Sequence, residues 1–90
     1  MACLYILYSE KLNRFYVGST DDFIRRFEEH QRGQTRSTAS GRPWKLAFKQ
    51  EFCEAITAHR YEMRIKSWKS RKIIGQIIKD QYLKIAQHLE

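Results

Sequence analysis

Cysteine is scarce in this chain: Cys3 and Cys53 are the only two in 90 residues. Two thiols cannot build a tetrahedral zinc site alone, and no CxxC or HxxxH spacing lies nearby to complete one. Both sit in apolar, strand-like stretches, where a free cysteine behaves as a small hydrophobe, so two reduced thiols are expected. Long hydrophobic runs are also missing; none approaches the length a membrane span needs. Met1-Ala2 leads straight into a strand with no basic leader region, which makes the cytoplasm the expected location. Internal repeats, low-complexity tracts and linkers are absent too, so one domain over residues 1–90 is expected. Negative charge is in short supply: 10 Asp and Glu stand against 17 Lys and Arg, for a formal net charge of +7. With 42% hydrophobic and 13% aromatic residues, the composition is that of a folded domain. Its charge predicts a polyanionic partner, with nucleic acid ahead of an anionic membrane.

Hydrophobic patterning then lays out the elements. Leu4 to Tyr8 is apolar and aromatic throughout and predicts a buried strand. Arg14 to Gly18 predicts a second, with Asn13 supplying turn chemistry before it. Tyr5 and Tyr16 would then sit near each other on paired antiparallel strands. Ser19-Thr20-Asp21-Asp22 offers helix caps, and the acidic pair suits the positive end of a helix dipole. A helix follows from about Asp22 to Arg32, with Phe23, Phe27 and Ile24 on its apolar stripe and Gly33 as its stop. Gln34 to Pro43 is polar and predicts a mobile loop. Trp44 to Phe52 predicts a third strand, with Trp44, Leu46, Phe48 and Gln50 on one face. A helix from about Glu54 to Lys69 carries Ala58, Tyr61, Ile65 and Trp68 at helical spacing. Ser70 interrupts it. A last helix begins near Arg71 and uses Ile73, Ile74, Ile77, Ile78, Leu83 and Ile85, with Gly75 weakening it locally. The expected element order is β-β-α-β-α-α.

Chemistry-bearing residues fall on these elements. Arg26 and His30 lie one helical turn apart, and Glu62 is a lone carboxylate among Arg60, Arg64 and Lys66. Two phenols, a guanidinium, an imidazole and one carboxylate on a basic domain suggest chemistry on a phosphodiester. Ordinary roles compete with this. Strand tyrosines are usually core residues with a hydroxyl at the rim, and Arg26 could pair with Glu28 or Glu29 on its own helix. His59 and His88 have no evident partners and read as surface residues.

The ordered set Cys3-Leu4-Tyr5, Tyr16-Val17-Gly18, Asp22-Phe23-Ile24-Arg25-Arg26-Phe27-Glu28-Glu29-His30, Pro43-Trp44-Lys45-Leu46 and Arg60-Tyr61-Glu62 running to Lys66-Ser67-Trp68-Lys69 resembles the GIY-YIG nuclease superfamily. The resemblance is strongest to its small single-domain branch, related to the N-terminal nuclease module of the bacterial repair excinuclease, and it covers Leu4 to about Lys79. It departs from the pattern in two places: Cys3 stands where the first glycine is usual, and the asparagine found late in several members has no counterpart. The resemblance implies an α+β, sandwich-like fold, a three-stranded antiparallel sheet flanked by helices, and metal-dependent hydrolysis of a nucleic-acid phosphodiester, with DNA the favoured target. Tyr5 and Tyr16 would be the paired active-site tyrosines, Arg26 the phosphate-binding cation, His30 an auxiliary acid/base or phosphate donor, and Glu62 the metal-binding carboxylate.

Mg²⁺ or Mn²⁺ would suit such a site, because Mg²⁺ keeps several waters and needs few protein carboxylates. Tyr16 is the candidate general base, although an ordinary phenol, with a pKa of about 10, ionises little at neutral pH. Arg32, Arg36, Arg42, Lys66, Lys69, Arg71 and Lys72 are candidates for backbone phosphate contacts, which give affinity without sequence readout. Trp44 and Trp68 are better read as core residues than as stacking platforms for bases. Two alternatives stay open: a nucleic-acid-binding module without turnover, and a basic scaffold for an acidic protein.

Overall fold

The computed structural model describes residues 1–81. Its elements are strands β1 (Ala2–Ser9) and β2 (Arg14–Thr20), helix α1 (Phe23–Arg32), strand β3 (Trp44–Phe52), and helices α2 (Ala55–Trp68) and α3 (Arg71–Asp80). This is the expected α+β order. β1 runs through the middle of a three-stranded antiparallel sheet, with β2 and β3 on its two sides. Leu83, Ile85 and His88 lie outside the described residues. Among the described residues no helix is long and apolar enough to cross a membrane.

The central strand explains the layering. Successive side chains of a strand point to opposite faces, and β1 is apolar on both. Leu4 and Ile6 face Val17, Phe48, Tyr61, Ile65 and Ile77, the side covered by α2 and α3. Cys3, Tyr5 and Leu7 face Trp44, with Tyr16, Phe23 and Phe27 packed against them, the side covered by α1. Losing a fully buried side chain such as Leu4 would cost about 2–5 kcal/mol, so each helix layer is held by a few residues of one strand.

Local chemistry sets the ends of the elements. Asn13 takes a left-handed conformation at φ 52° in the β1–β2 turn. Its side-chain oxygen accepts from the Tyr8 hydroxyl at 2.7 Å and from Arg71 at 2.7 Å, which ties the turn to the start of α3. Asp22 caps α1 by accepting from the Arg25 amide, and Gly33 closes the helix at φ 78°. Lys69 leaves α2 in a left-handed conformation, and the Ser70 hydroxyl accepts from the Ile73 amide to start α3. Helix α3 runs through Gly75, whose Cβ position is open.

Several expectations need correction. β3 does not keep one apolar face. A register shift falls between Ile6, paired with Phe48, and Leu7, paired with Leu46, leaving Ala47 as the extra residue. Such a bulge flips the alternation. Trp44 therefore packs with Tyr5, Phe48 packs on the opposite side with Ile6, and Leu46 is left 46% exposed. Ile24 and Trp68 are exposed rather than part of their helices' apolar stripes. Cys53 is an exposed free thiol just beyond β3, while Cys3 is buried, its pKa raised by burial against the lowering effect of Lys49. The stretch from Gln34 to Pro43 is anchored instead of loose: Thr38 is fully buried, and its carbonyl accepts from the Trp44 indole at 2.7 Å.

Candidate active site

The two phenols share a sheet face because of strand register. Tyr5 pairs with Gly18 and Tyr16 with Leu7, so the rings lie diagonally, 6.4 Å between centroids. Gly18 is needed for this arrangement. A Cβ there would meet the Tyr5 hydroxyl at 2.5 Å and Cζ at 2.6 Å, so only the bare backbone lets the Tyr5 ring lie across β2. Tyr5 is almost wholly buried, whereas Tyr16 is half-buried.

Helix α1 brings His30 under both rings. His30 is fully buried, with its ring 5.9 Å from that of Tyr5 and 5.0 Å from that of Tyr16. Its nitrogens are both engaged, Nε2 with the Tyr5 hydroxyl at 2.9 Å and Nδ1 with Thr38 Oγ1 at 2.7 Å. Thr38 spends its own proton on the Thr35 carbonyl at 3.3 Å. The network therefore assigns the proton to Nδ1 of His30 and leaves Nε2 to accept from Tyr5. Burial, with the nearby charge of Arg26, lowers the His30 pKa to about 4, against a smaller opposing pull from Glu29. Burial likewise pushes the Tyr5 phenol up to about 12, and the charges around Tyr16 and Glu62 add to the rise while Arg26 opposes it. At neutral pH Tyr5 is thus a protonated phenol and His30 a neutral imidazole.

Arg26 stands one turn before His30. Its guanidinium holds Glu29 at 2.8 Å, the helix partner weighed above, and it also lies close enough to Tyr5 to favour that phenol's anion. Its pKa is raised, chiefly by the Glu29 hydrogen bond. About a third of its side chain stays exposed, leaving donors free to face a ligand.

Glu62 arrives from the other layer. Helix α2 packs beside β2, an edge strand, and Glu62 reaches that edge with its side chain only 11% exposed. Ser19, directly after Tyr16-Val17-Gly18, donates from Oγ to Glu62 Oε1 at 2.5 Å, and Lys66 donates from Nζ to Oε2 at 2.6 Å. His59 is not unpartnered: its Nδ1 lies 3.4 Å from Oε1. Burial alone would raise the Glu62 pKa. The hydrogen bonds from Lys66 and Ser19, with the charges of Lys66 and His59, outweigh burial and hold it below the ordinary carboxylate value. The Lys66 ammonium also sits over the Tyr16 ring, 5.5 Å from its centroid. That one side chain connects the carboxylate layer to the phenol layer.

Tyr5, Tyr16, Arg26, His30 and Glu62 thus meet around the β2 edge. The seven expected backbone-contact residues do not act alike. Lys66, Lys69 and Arg71 line one groove of about 330 Å³ with Arg14, Phe15 and Tyr16. Arg32 pairs with Glu28 at 3.5 Å, and Arg42 donates to the Ala39 and Arg32 carbonyls at 2.7 and 3.2 Å, so both are occupied at the far end of α1. Arg36 and Lys72 are exposed. Sequence reasoning missed Arg14, Ser19 and Thr38. A hydroxyl directly after the second tyrosine motif was the one available signal for Ser19; nothing local marks Thr38.

Among the described residues no group of three or more His, Cys, Asp or Glu could hold a metal ion. A closed protein cage is therefore absent from this region. The donor set fits a hard cation of the Mg²⁺ type, which takes one or two carboxylates and completes its shell with water and substrate phosphates.

The family model of the GIY-YIG catalytic domain matches residues 1–74. A UPF0213 protein of Klebsiella pneumoniae subsp. pneumoniae is 39% identical over 61 residues, a stretch covering 67% of this chain and 58% of the relative. The chain therefore spans a little over half the length of that curated relative. No solved structure matches the chain.

Proposed function

The chain belongs to the GIY-YIG family, and from that premise we propose that it is a divalent-metal-dependent endonuclease that cleaves DNA by recognising its structure or backbone. Nuclease-type hydrolysis of phosphodiesters is the activity of the family's catalytic domain. The choice of metal and of DNA, and the roles below, are this reading's own.

The observation that supports it most is the meeting of Glu62 with Tyr16 across the edge of β2, with Lys66 touching both. In this reading Glu62 is the carboxylate among the described residues that would hold Mg²⁺ or Mn²⁺, with Ser19 fixing its rotamer. Held by Glu62, such an ion would supply Lewis-acid polarisation of the scissile phosphate and charge stabilisation for the departing oxyanion. Tyr16, half-buried with the Lys66 ammonium over its ring, acts as the phenolate that takes the proton of the attacking water and becomes the neutral phenol. Tyr5 does not compete for that role, because its hydroxyl proton is committed to His30 and its pKa is about 12. Tyr5, almost wholly buried, instead supports Tyr16 from within the sheet face, its ring 6.4 Å from that of Tyr16. His30 works from behind Tyr5, holding its proton, and does not reach a phosphate itself, since it is fully buried. Arg26 presents the permanent, planar charge that suits phosphate oxygens.

Arg14 and Lys69 line the groove that continues from Tyr16 and suits the flanking sugar-phosphate backbone, while Arg71, which lines it too, already donates to Asn13 at 2.6 and 2.7 Å. These are backbone contacts, so they favour shape over sequence. Incubation with branched, nicked and single-stranded DNA and with RNA, in Mg²⁺ or Mn²⁺ and with a chelator control, tests the reading. Metal-dependent cleavage of DNA that is lost in Glu62→Gln is expected. Folded protein that cleaves none of these substrates would overturn it.

A further inference from the structure

We propose that Lys66 is a resident counter-cation of Glu62, holding the carboxylate oxygen a metal ion needs, and that it must leave before the metal binds. The proposal rests on the metal role of Glu62 in the reading above. Both oxygens of Glu62 are occupied within the chain: Oε1 by Ser19 at 2.5 Å and His59 at 3.4 Å, and Oε2 by Lys66 at 2.6 Å. Ser19 is a short side chain on a strand, paired in register with Leu4, and has little freedom to withdraw. Lys66 is different. It sits at the end of a flexible four-carbon stem, and 41% of its side chain is exposed against 11% for Glu62, so it has room to swing outward. An ammonium and a divalent cation at one oxygen repel each other, so the two compete for Oε2.

The ammonium also marks a place where positive charge is favoured from two sides, by the Glu62 carboxylate and by the face of the Tyr16 ring 5.5 Å away. A cation that displaced it would stand beside that phenol. The freed ammonium would remain at the mouth of the groove lined by Arg14, Lys69 and Arg71, positioned for a substrate phosphate. Lys66 thereby keeps a buried carboxylate satisfied in the metal-free protein, and couples metal entry to the appearance of a free phosphate donor.

Equilibrium binding of Mn²⁺, read by electron paramagnetic resonance of the free ion without nucleic acid, separates the possibilities. Lys66→Met keeps the stem and removes the ammonium; it should bind Mn²⁺ roughly ten-fold tighter than the wild type, an interval set by a charge-assisted hydrogen bond to a partly exposed group. Lys66→Arg should restore wild-type affinity. Lys69→Met removes the same charge one turn away without a contact to Glu62, and should change affinity far less. Equal gains in Lys66→Met and Lys69→Met would reduce the effect to general electrostatics and overturn the proposal, as would unchanged affinity in Lys66→Met while Glu62→Gln still abolishes binding. If Glu62→Gln binds Mn²⁺ like the wild type, or no variant binds it, the metal role of Glu62 fails and this proposal falls with it.

Discussion

Lowering the pH from neutrality should destabilise this fold through His30. An unfolded histidine has a pKa of about 6.5, and burial lowers that of His30 in the fold to about 4. Between those values the unfolded chain binds a proton that the folded chain refuses. Stability is therefore complete above about pH 6.5 and falls as pH drops toward 4, by up to about 1.4 kcal/mol per pH unit. The loss is on the order of 3 kcal/mol over the window, against the 5–13 kcal/mol that roughly 90 residues support, so it is measurable before the protein unfolds. Urea denaturation at half-unit steps from pH 7.5 to 4.5 gives the curve. His30→Gln, which keeps a neutral polar side chain between Tyr5 and Thr38, should flatten it. A ring-proton titration of wild-type His30 by NMR serves as an independent readout and should show no midpoint above pH 5. Parallel stability curves for wild type and His30→Gln, together with a His30 midpoint near 6.5, would refute the reasoning.

Gly18→Ala forces its new methyl into the Tyr5 ring, where a Cβ would stand 2.5 Å from the hydroxyl oxygen. Overpacking of this kind costs about 1–3 kcal/mol, and the melting temperature should fall by about 4–8 °C per kcal/mol; an unchanged melt would mean that Tyr5 is not packed on β2 as described. Lys69→Ala removes one cation from the groove beside Tyr16. The slope of log affinity for duplex DNA against log salt should then become shallower by about one, and an identical slope would remove Lys69 from the nucleic-acid surface.

Much of this was legible in residue order. Both early strands, the capped and glycine-stopped helix α1, and the α2 stripe of Ala58, Tyr61 and Ile65 follow from periodicity and cap chemistry, which are local. The tyrosine, arginine, histidine and glutamate set was legible only through its ordered spacing, because each residue alone has an ordinary structural role. What escaped is non-local. The bulge at Ala47 in β3 depends on pairing with β1, and it sends Trp44 and Phe48 to opposite faces although four residues separate them. Trp68 keeps helical phase with Ile65, yet among the described residues it stays exposed. Thr38 belongs to a stretch that reads as free loop; its burial follows from the histidine and tryptophan that close over it. His59 and Ser19 gain their roles only because α2 lies along the β2 edge and brings Glu62 between them.

The central claim is that side chains from separate layers act around one reacting phosphate. A double-mutant cycle on Tyr16→Phe and Glu62→Gln, measured as single-turnover cleavage of a nicked or branched DNA, tests it most directly. Each single change should remove roughly 3 kcal/mol of transition-state stabilisation, about two orders of magnitude in rate. If the two groups serve one site, the double variant should be little slower than the slower single variant. Losses that multiply to about four orders of magnitude would show that Tyr16 and Glu62 act independently, and would contradict the account.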